Sequence, residues 1–228
     1  MAKKKKRETI LRSSTHFTIH ENKVRDEMEG LGGTDAIKIV EGKWKEVWEL
    51  KLGLKEYPNL DEVLPVQMGI LTEDMNRLWF MKTTGIKVLK PDIISSKEVP
   101  FLYASLDGIT EDGSIFEAKH VSPFTVKDVT ERYYPQIQHY LMVTRFKKAY
   151  LSVFIGNSGH KIFEVDRDDE FIFKLLYAES YLWNFVQHQV EPPDFVDFNA
   201  LPDKMQGNKG EEHEFKLPNP SWISKTIH

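Results

Sequence analysis

Two acids and a lysine stand close together near the middle of this 228-residue sequence. The stretch from Phe101 to His120 reads F-L-Y-A-S-L-D-G-I-T-E-D-G-S-I-F-E-A-K-H. Leu102, Ala104 and Leu106 alternate with Tyr103, Ser105 and Asp107, the period of a half-buried strand. The turn T-E-D-G-S follows, and D-G is a strong hairpin signal. In the second strand, S-I-F-E-A-K, Glu117 and Lys119 are two residues apart and share a face with Ile115, roughly 7 Å from each other. Phe116 and Ala118 point the other way. An acid closing one strand, beside an acid and a lysine on its hairpin partner, makes a compact charged cluster. Magnesium takes such carboxylate oxygens, with water and phosphate completing its shell. A lysine beside it can position a water or stabilise the charge on a phosphorane-like transition state. E-x-K on a strand is also the pattern of a solvated surface ion pair. Asp107 and Gly108, placed just ahead of Glu117, favour the chemical reading, and the neighbouring segments decide it.

Those neighbours are read as follows. M-E-G-L-G-G-T-D-A-I-K-I-V (Met28–Val40) brings three glycines to Thr34, a good N-cap, with a helix pattern after it in Ala36, Ile37, Ile39 and Val40. A glycine-rich approach to a helix N-terminus suits a phosphate, although an ordinary capped helix has the same look. A second helix is expected over Lys43–Leu52, its tryptophans in the core. Pro65–Thr83 reads as a long helix with an apolar stripe of Met68, Leu71, Met75, Leu78 and Trp79, ended by Gly85. Glu73 lies off that stripe, as a surface acid would. Strands are expected at Lys87–Leu89, Ala149–Ile155 and Lys161–Val165. Between the hairpin and these last two, Tyr133–Thr144 is a helix on which Gln136 and Tyr140 are i,i+4 neighbours. An amphipathic helix from Asp168 to Val190 stops at Pro192-Pro193. The expected organisation is a basic tail and lead-in over 1–27, one domain over 28–193 and an extension over 194–228.

Composition removes several classes. There is no cysteine, so disulfides, thiolate zinc sites and iron–sulfur clusters are excluded. No Walker-type loop, nucleophile elbow or metal-ligand histidine spacing is present. No apolar run approaches a membrane span, so a soluble, cytoplasmic protein without membrane contact is expected. The net charge of −4 argues against a surface that coats nucleic acid, so contact with DNA should be confined to a channel or a metal site. The opening K-K-K-K-R is read as a solvated tail.

The order of these pieces resembles the YqaJ-like viral recombinase family, the group that includes phage lambda exonuclease, within the PD-(D/E)xK nuclease superfamily. The segments that carry it are G-L-G-G-T-D-A, W-E-L-K-L-G-L (Trp48–Leu54), M-G-I-L-T-E-D (Met68–Asp74), P-F-L-Y-A-S-L-D-G (Pro100–Gly108), F-E-A-K (Phe116–Lys119) and Y-Y-P-Q-I-Q-H-Y-L (Tyr133–Leu141), spread over Met28–Pro193. The resemblance implies an α/β (α+β) fold, a mixed sheet flanked by helices around a restriction-endonuclease-like core. It implies that Asp107, Glu117 and the main-chain carbonyl of Ala118 hold Mg²⁺, for which Mn²⁺ can substitute, and that Glu73 joins from its helix, as a ligand through water or to a second ion. Lys119 would orient or activate the attacking water. Gln136 would fix the scissile phosphate or the water, with Tyr140 supporting it. Thr34 and the amides around Gly33 would hold a 5′-phosphate. Arg25, or else Lys23, is the candidate for the arginine that relatives carry before the glycines, although acids stand nearest the glycines here. Leu106 replaces the usual proline of Pro-Asp-Gly, and H-V-S-P-F-T after Lys119 delays a proline that relatives place earlier.

The implied activity is metal-dependent 5′→3′ digestion of one strand of linear duplex DNA from its end, in a phage-type recombination system acting in a bacterial host. The 3′ overhang would pass to a single-strand annealing protein. A homo-oligomer, a trimeric ring, would reconcile an acidic chain with DNA by confining positive charge to its channel. The alternatives are a structure-specific or nicking endonuclease with the same site, and a non-catalytic DNA-end-binding protein on the same fold.

Overall fold

The computed structural model of the chain describes residues 16–24 and 27–202. The basic opening, Arg25 and the chain beyond 202 lie outside the described residues. The chain divides into two compact units, one of residues up to 37 with 57–168, the other of 38–56 with the residues from 169 onward.

The first unit holds both sheets. Strands β1 (Phe17–His20), β3 (Ile93–Ser96) and β4 (Tyr103–Ala104) form a three-stranded antiparallel sheet in the order β1-β3-β4. Strands β2 (Val88–Leu89), β5 (Gly108–Thr110), β6 (Ile115–Val121), β7 (Lys148–Ile155) and β8 (Gly159–Asp166) form a five-stranded mixed sheet in that order. Only β6 and β7 run parallel, from Ile115 opposite Ala149 to Val121 opposite Ile155. A parallel pair needs a crossover, and the helix Val129–Thr144 supplies it.

The expected hairpin is therefore split. Gly108 and Ile109 do pair with Phe116 and Ile115, across a turn that includes the left-handed Gly113. Tyr103 and Ala104, however, pair with Ser95 and Ile94 in the other sheet. Asp107 thus sits in the short link between two sheets rather than in a continuous strand. Strands β1 and β3 were not anticipated. Ile93–Ser96 is buried at every position and shows no polar alternation, so a period-two reading passes over it.

Five helices are described. Helix α1 spans Gly33–Val40 and opens in the first unit; α2 is Trp44–Lys51, α3 Leu64–Thr84, α4 Val129–Thr144 and α5 Asp169–His188. In the second unit, Trp44 meets Tyr181 edge-on at 5.5 Å, and the Trp48 indole N–H donates to the Phe185 carbonyl at 3.2 Å. Ile172, Leu175, Leu176, Leu182 and Val186 form the buried stripe of α5, at the 3-4 spacing expected of an amphipathic helix. Helix α4 starts four residues earlier than expected and carries Pro135 internally. The carbonyl that this proline leaves without a helical donor belongs to Glu131, which is exposed and open to water.

The largest departure is α3. Met68, Leu71, Met75, Leu78 and Trp79, expected to face the core, are all exposed, and the residues it buries are Asn76 and Phe80. Phe80 packs its ring 5.0 Å from Phe116 and 5.4 Å from Tyr150, in a cluster with Val88. Packing of this kind is worth about 3–5 kcal/mol against truncation to alanine. Asn76 carries the hydrogen bonds that fix the helix polar side to the sheet, so the apolar stripe turns outward.

Candidate active site

Strand β6 sets the geometry. Phe116 and Ala118 face α3 and its Phe80, whereas Glu117 faces α4, where Gln136 waits. Glu117 is buried, and its Oε1 accepts from both Lys119 Nζ at 2.6 Å and Gln136 Nε2 at 2.9 Å. The same Gln136 amide donates to the Tyr140 hydroxyl at 2.8 Å. Across the link, Asp107 Oδ2 accepts the main-chain N–H of Ala118 at 2.8 Å, which holds its carboxylate beside Glu117 and Lys119. Lys119 Nζ also lies 4.6 Å from the Tyr133 ring centre, a cation–π distance.

The electrostatics follow from crowding. Burial, then the neighbouring charge of Glu117 and more weakly that of Glu73, push the Asp107 carboxyl up to about 8, against the opposing pull of Lys119. Burial alone would push the Lys119 ammonium down. The Glu117 and Asp107 carboxylates outweigh it and hold Lys119 above the ordinary lysine value. Lys119 is therefore a cation in this arrangement, which suits holding a water or a phosphate oxygen and does not suit taking up a proton.

Two carboxylates so close that one resists ionising are a natural seat for a divalent cation. The Glu117 Oε2 atom is buried and makes no hydrogen bond among the described residues, so the pair offers hard oxygen to such an ion. The donor set fits Mg²⁺ or Mn²⁺, which bind through one or two carboxylates and leave room for phosphate. Glu73 is placed differently. Its Oε1 is 2.5 Å from Lys90 Nζ and 3.7 Å from Arg77 Nη1, and among the described residues no three histidine or acidic side chains gather into a ready metal cage. Glu73 is near enough for its charge to act on Asp107, but it is tied to cations.

The glycine-rich segment reaches the same place. Leu31 donates to the Phe101 carbonyl at 2.7 Å, and Tyr103 donates back to Leu31 at 3.0 Å, lacing the segment alongside β4. Gly30 has φ +132°, and a Cβ there would stand 2.0 Å from the Phe101 carbonyl oxygen. A Cβ on Gly33 would lie 2.6 Å from the Tyr140 ring and 2.8 Å from Gln136 Cγ. Gly33 thus sits directly against the glutamine helix. Thr34 is exposed in the first turn of α1, after rather than at the cap. Gly32 takes the cap position, its N–H donating to Asp35 Oδ2 at 2.8 Å and its carbonyl accepting from Asp35 and Ala36. Tyr140 is buried, so it acts on Gln136 and Gly33 and not on the solvent side. Ala118 donates its N–H to Asp107, and Arg25 lies outside the described residues.

Two residues of this site were missed in the sequence. Arg77 donates from Nη1 to the Asp107 carbonyl at 2.9 Å and is also paired with Asp74, so it anchors the acid-bearing link. Its spacings of four from Glu73 and three from Asp74 are the local signals. Asn76 is almost fully buried and donates to the Ser152 carbonyl at 2.9 Å and to the Lys119 carbonyl at 3.3 Å. Its Oδ1 accepts from Ser152 Oγ at 2.6 Å. An asparagine beside Glu73, Asp74 and Arg77 on an amphipathic helix gave no hint of this.

Solved structures share the fold. An alkaline exonuclease from Laribacter hongkongensis, LHK-Exo, superimposes with a TM-score of 0.59 at 17% identity, over 71% of this chain and 90% of that one. The same enzyme in complex with dAMP gives 0.60 at 18% identity, with equal coverage. A phage-related exonuclease from Haemophilus somnus 129PT gives 0.53 at 15% identity, over 71% of this chain and 97% of that one. These likenesses establish the fold that this chain shares with those proteins, a mixed α/β core. In sequence, the uncharacterised protein YqaJ of Bacillus subtilis (strain 168) is 34% identical over 168 residues, which are 68% of this chain and 53% of YqaJ. The chain therefore spans about half the length of that curated relative. Residues 22–147, from the lead-in to the glycines through the end of the glutamine helix, match the YqaJ-like viral recombinase domain, and the chain belongs to that family.

Proposed function

We propose that this chain is a divalent-metal-dependent deoxyribonuclease that enters linear duplex DNA at an end and removes one strand 5′→3′, leaving a 3′ overhang. The observation that carries the reading is the buried junction of Asp107, Glu117, Lys119 and Gln136, in which two carboxylates repel each other next to a retained ammonium. The family, and a fold shared with proteins described as alkaline and phage-related exonucleases, support it.

The residues divide the work. Asp107 and Glu117 would hold Mg²⁺ or Mn²⁺, which supplies charge neutralisation on the phosphate and a more acidic water. Lys119, kept as a cation, offsets the negative charge that builds on the phosphoryl oxygens. Gln136 donates its two amide protons to Glu117 and Tyr140 and so positions Glu117, and its carbonyl oxygen would accept from the attacking water. Arg77 fixes the backbone of Asp107, so the carboxylate is aimed before DNA arrives. Gly33, against the glutamine helix, and the exposed Thr34 would meet a 5′-phosphate at the duplex end. A single-strand annealing protein is the proposed recipient of the overhang.

The test uses linear duplex labelled separately at its 5′ and 3′ ends, with a covalently closed circle beside it, in Mg²⁺. The proposal expects immediate loss of the 5′ label, survival of the complementary strand and untouched circles. Cut circles would make it an endonuclease. No cleavage in Mg²⁺ or Mn²⁺ would leave only a DNA-binding role.

A further inference from the structure

Helix α4 presents one stripe to strand β6. Tyr133, Gln136 and Tyr140 are spaced by three and four residues, which puts them on one face of the helix. Gln136 and Tyr140 serve Glu117, through the amide–carboxylate bond of 2.9 Å and the amide–hydroxyl bond of 2.8 Å behind it. Tyr133, one turn earlier, serves the other charged residue of the strand, with its ring centre 4.6 Å from Lys119 Nζ. Its neighbour Tyr134 is committed elsewhere, the hydroxyl donating to Asp168 Oδ2 at 2.8 Å. The Arg132 guanidinium also comes to 5.7 Å from the Tyr133 ring, but Arg132 is exposed, whereas the Lys119 side chain is only 20% exposed. A cation–π contact strengthens as the cation loses water, so the ring favours Lys119.

We propose that Tyr133 is a positioning residue for Lys119, its ring holding the ammonium at the site when the charge of Glu117 is drawn toward a divalent ion. This role rests on the nuclease reading above. Lys119 has two partners here, Glu117 Oε1 at 2.6 Å and the ring. A carboxylate shared with a divalent cation attracts an ammonium less, because two positive charges then compete for it and repel each other. The long, flexible stem of lysine would let the ammonium drift. The ring face keeps its hold, since it has no net charge for an ion to neutralise. An acid in place of Tyr133 would add a further carboxylate beside Asp107 and Glu117 and would repel the phosphate. An aliphatic side chain would offer the ammonium nothing. The uncharged ring holds Lys119 and leaves its charge available to the phosphoryl oxygens.

The contact is read by nuclear magnetic resonance of the full chain with ¹³C-labelled lysine, Lys119→Met identifying the signal. The Lys119 Hε protons should lie upfield of other lysines through the ring current, and should stay there in saturating Mg²⁺. Tyr133→Leu should return them to the ordinary position, and Tyr133→Phe should not. In cleavage of linear duplex, Tyr133→Leu should lower kcat about tenfold with little change in KM, and Tyr133→Phe should keep most of what the leucine loses. Added to Lys119→Met, Tyr133→Leu should cost less than about twofold more, because the residue it positions is gone. A purely structural role would give the same tenfold loss in both backgrounds and would overturn the proposal. So would Lys119 protons at the ordinary position in Mg²⁺, or a Tyr133→Phe protein as slow as Tyr133→Leu. A parent protein that cleaves no DNA would remove the nuclease reading, and the resonance in Mg²⁺ would still decide whether the ring holds Lys119.

Discussion

Asp107 is the residue on which pH acts most directly. Its carboxyl ionises in the unfolded chain near 3.8 and in the folded protein near about 8, so folding takes up a proton between those values. The raised value means that stability is lost as pH rises through this window. Asp107→Asn cannot ionise and escapes that loss. Without metal, the variant should melt above the parent protein, by a margin that widens from pH about 5 to pH about 8, which calorimetry of both proteins reads directly. A margin that is constant with pH would show that Asp107 is not destabilised by burial and Glu117. Saturating Mg²⁺ or Mn²⁺ should raise the melting temperature of the parent protein more at the alkaline end than at the acid end, and should do little for the variant. Lys119→Met keeps the packing and removes the cation, and cleavage should fall by about 10²–10³-fold. These three residues were legible in the sequence because strand periodicity alone puts Glu117 and Lys119 on one face, and the hairpin turn brings Asp107 to them. The proton state of Lys119 was not legible, since it depends on two carboxylates brought together by the fold.

At the scale of elements, α3 and α4 hold the site from opposite faces of β6. Asn76 on α3 ties the carbonyls of Lys119 and Ser152 and accepts from Ser152. Asn76→Ala leaves those buried groups without their donor and should cost about 1–3 kcal/mol, measured by denaturant unfolding. Because one of them belongs to Lys119, cleavage should fall too, in a protein still folded at room temperature. Gly33→Ala is the complementary change on the α4 side. Its new methyl meets Tyr140 and Gln136, so kcat should drop with little change in melting temperature if Gln136 moves away from Glu117. The orientation of α3 shows where sequence periodicity stops. Its apolar stripe was recognisable, but the sheet beneath takes Asn76 and Phe80 instead, a choice that depends on partners distant in sequence. Helix α5, with a single apolar stripe, gave no such ambiguity. Helix α4 was recognised by its glutamine face and misplaced at its start, because Pro135 resembles a first-turn proline.

At the scale of the whole chain, a net charge of −4 must coexist with a polyanionic substrate. At the site the cations are matched by acids, Lys119 by Glu117 and Arg77 by Asp74 and Glu73, so DNA would meet a balanced cluster whose positive excess a divalent ion would supply. Two sheets joined at Asp107 make this possible, since the short link lets an acid from one edge reach a strand buried in the other. That two-sheet arrangement could not be read from the sequence, because β4 and β5 run on as one alternating segment. The measurement that bears most directly on the account is hydrolysis of end-labelled linear duplex by the parent protein and by Asp107→Asn, at pH about 9, above the raised Asp107 value, with Mg²⁺ and then with excess chelator. The account predicts cleavage by the parent protein alone, abolished by the chelator and restored by Mn²⁺ or Mg²⁺. Equal cleavage by Asp107→Asn, or cleavage that survives the chelator, would contradict it.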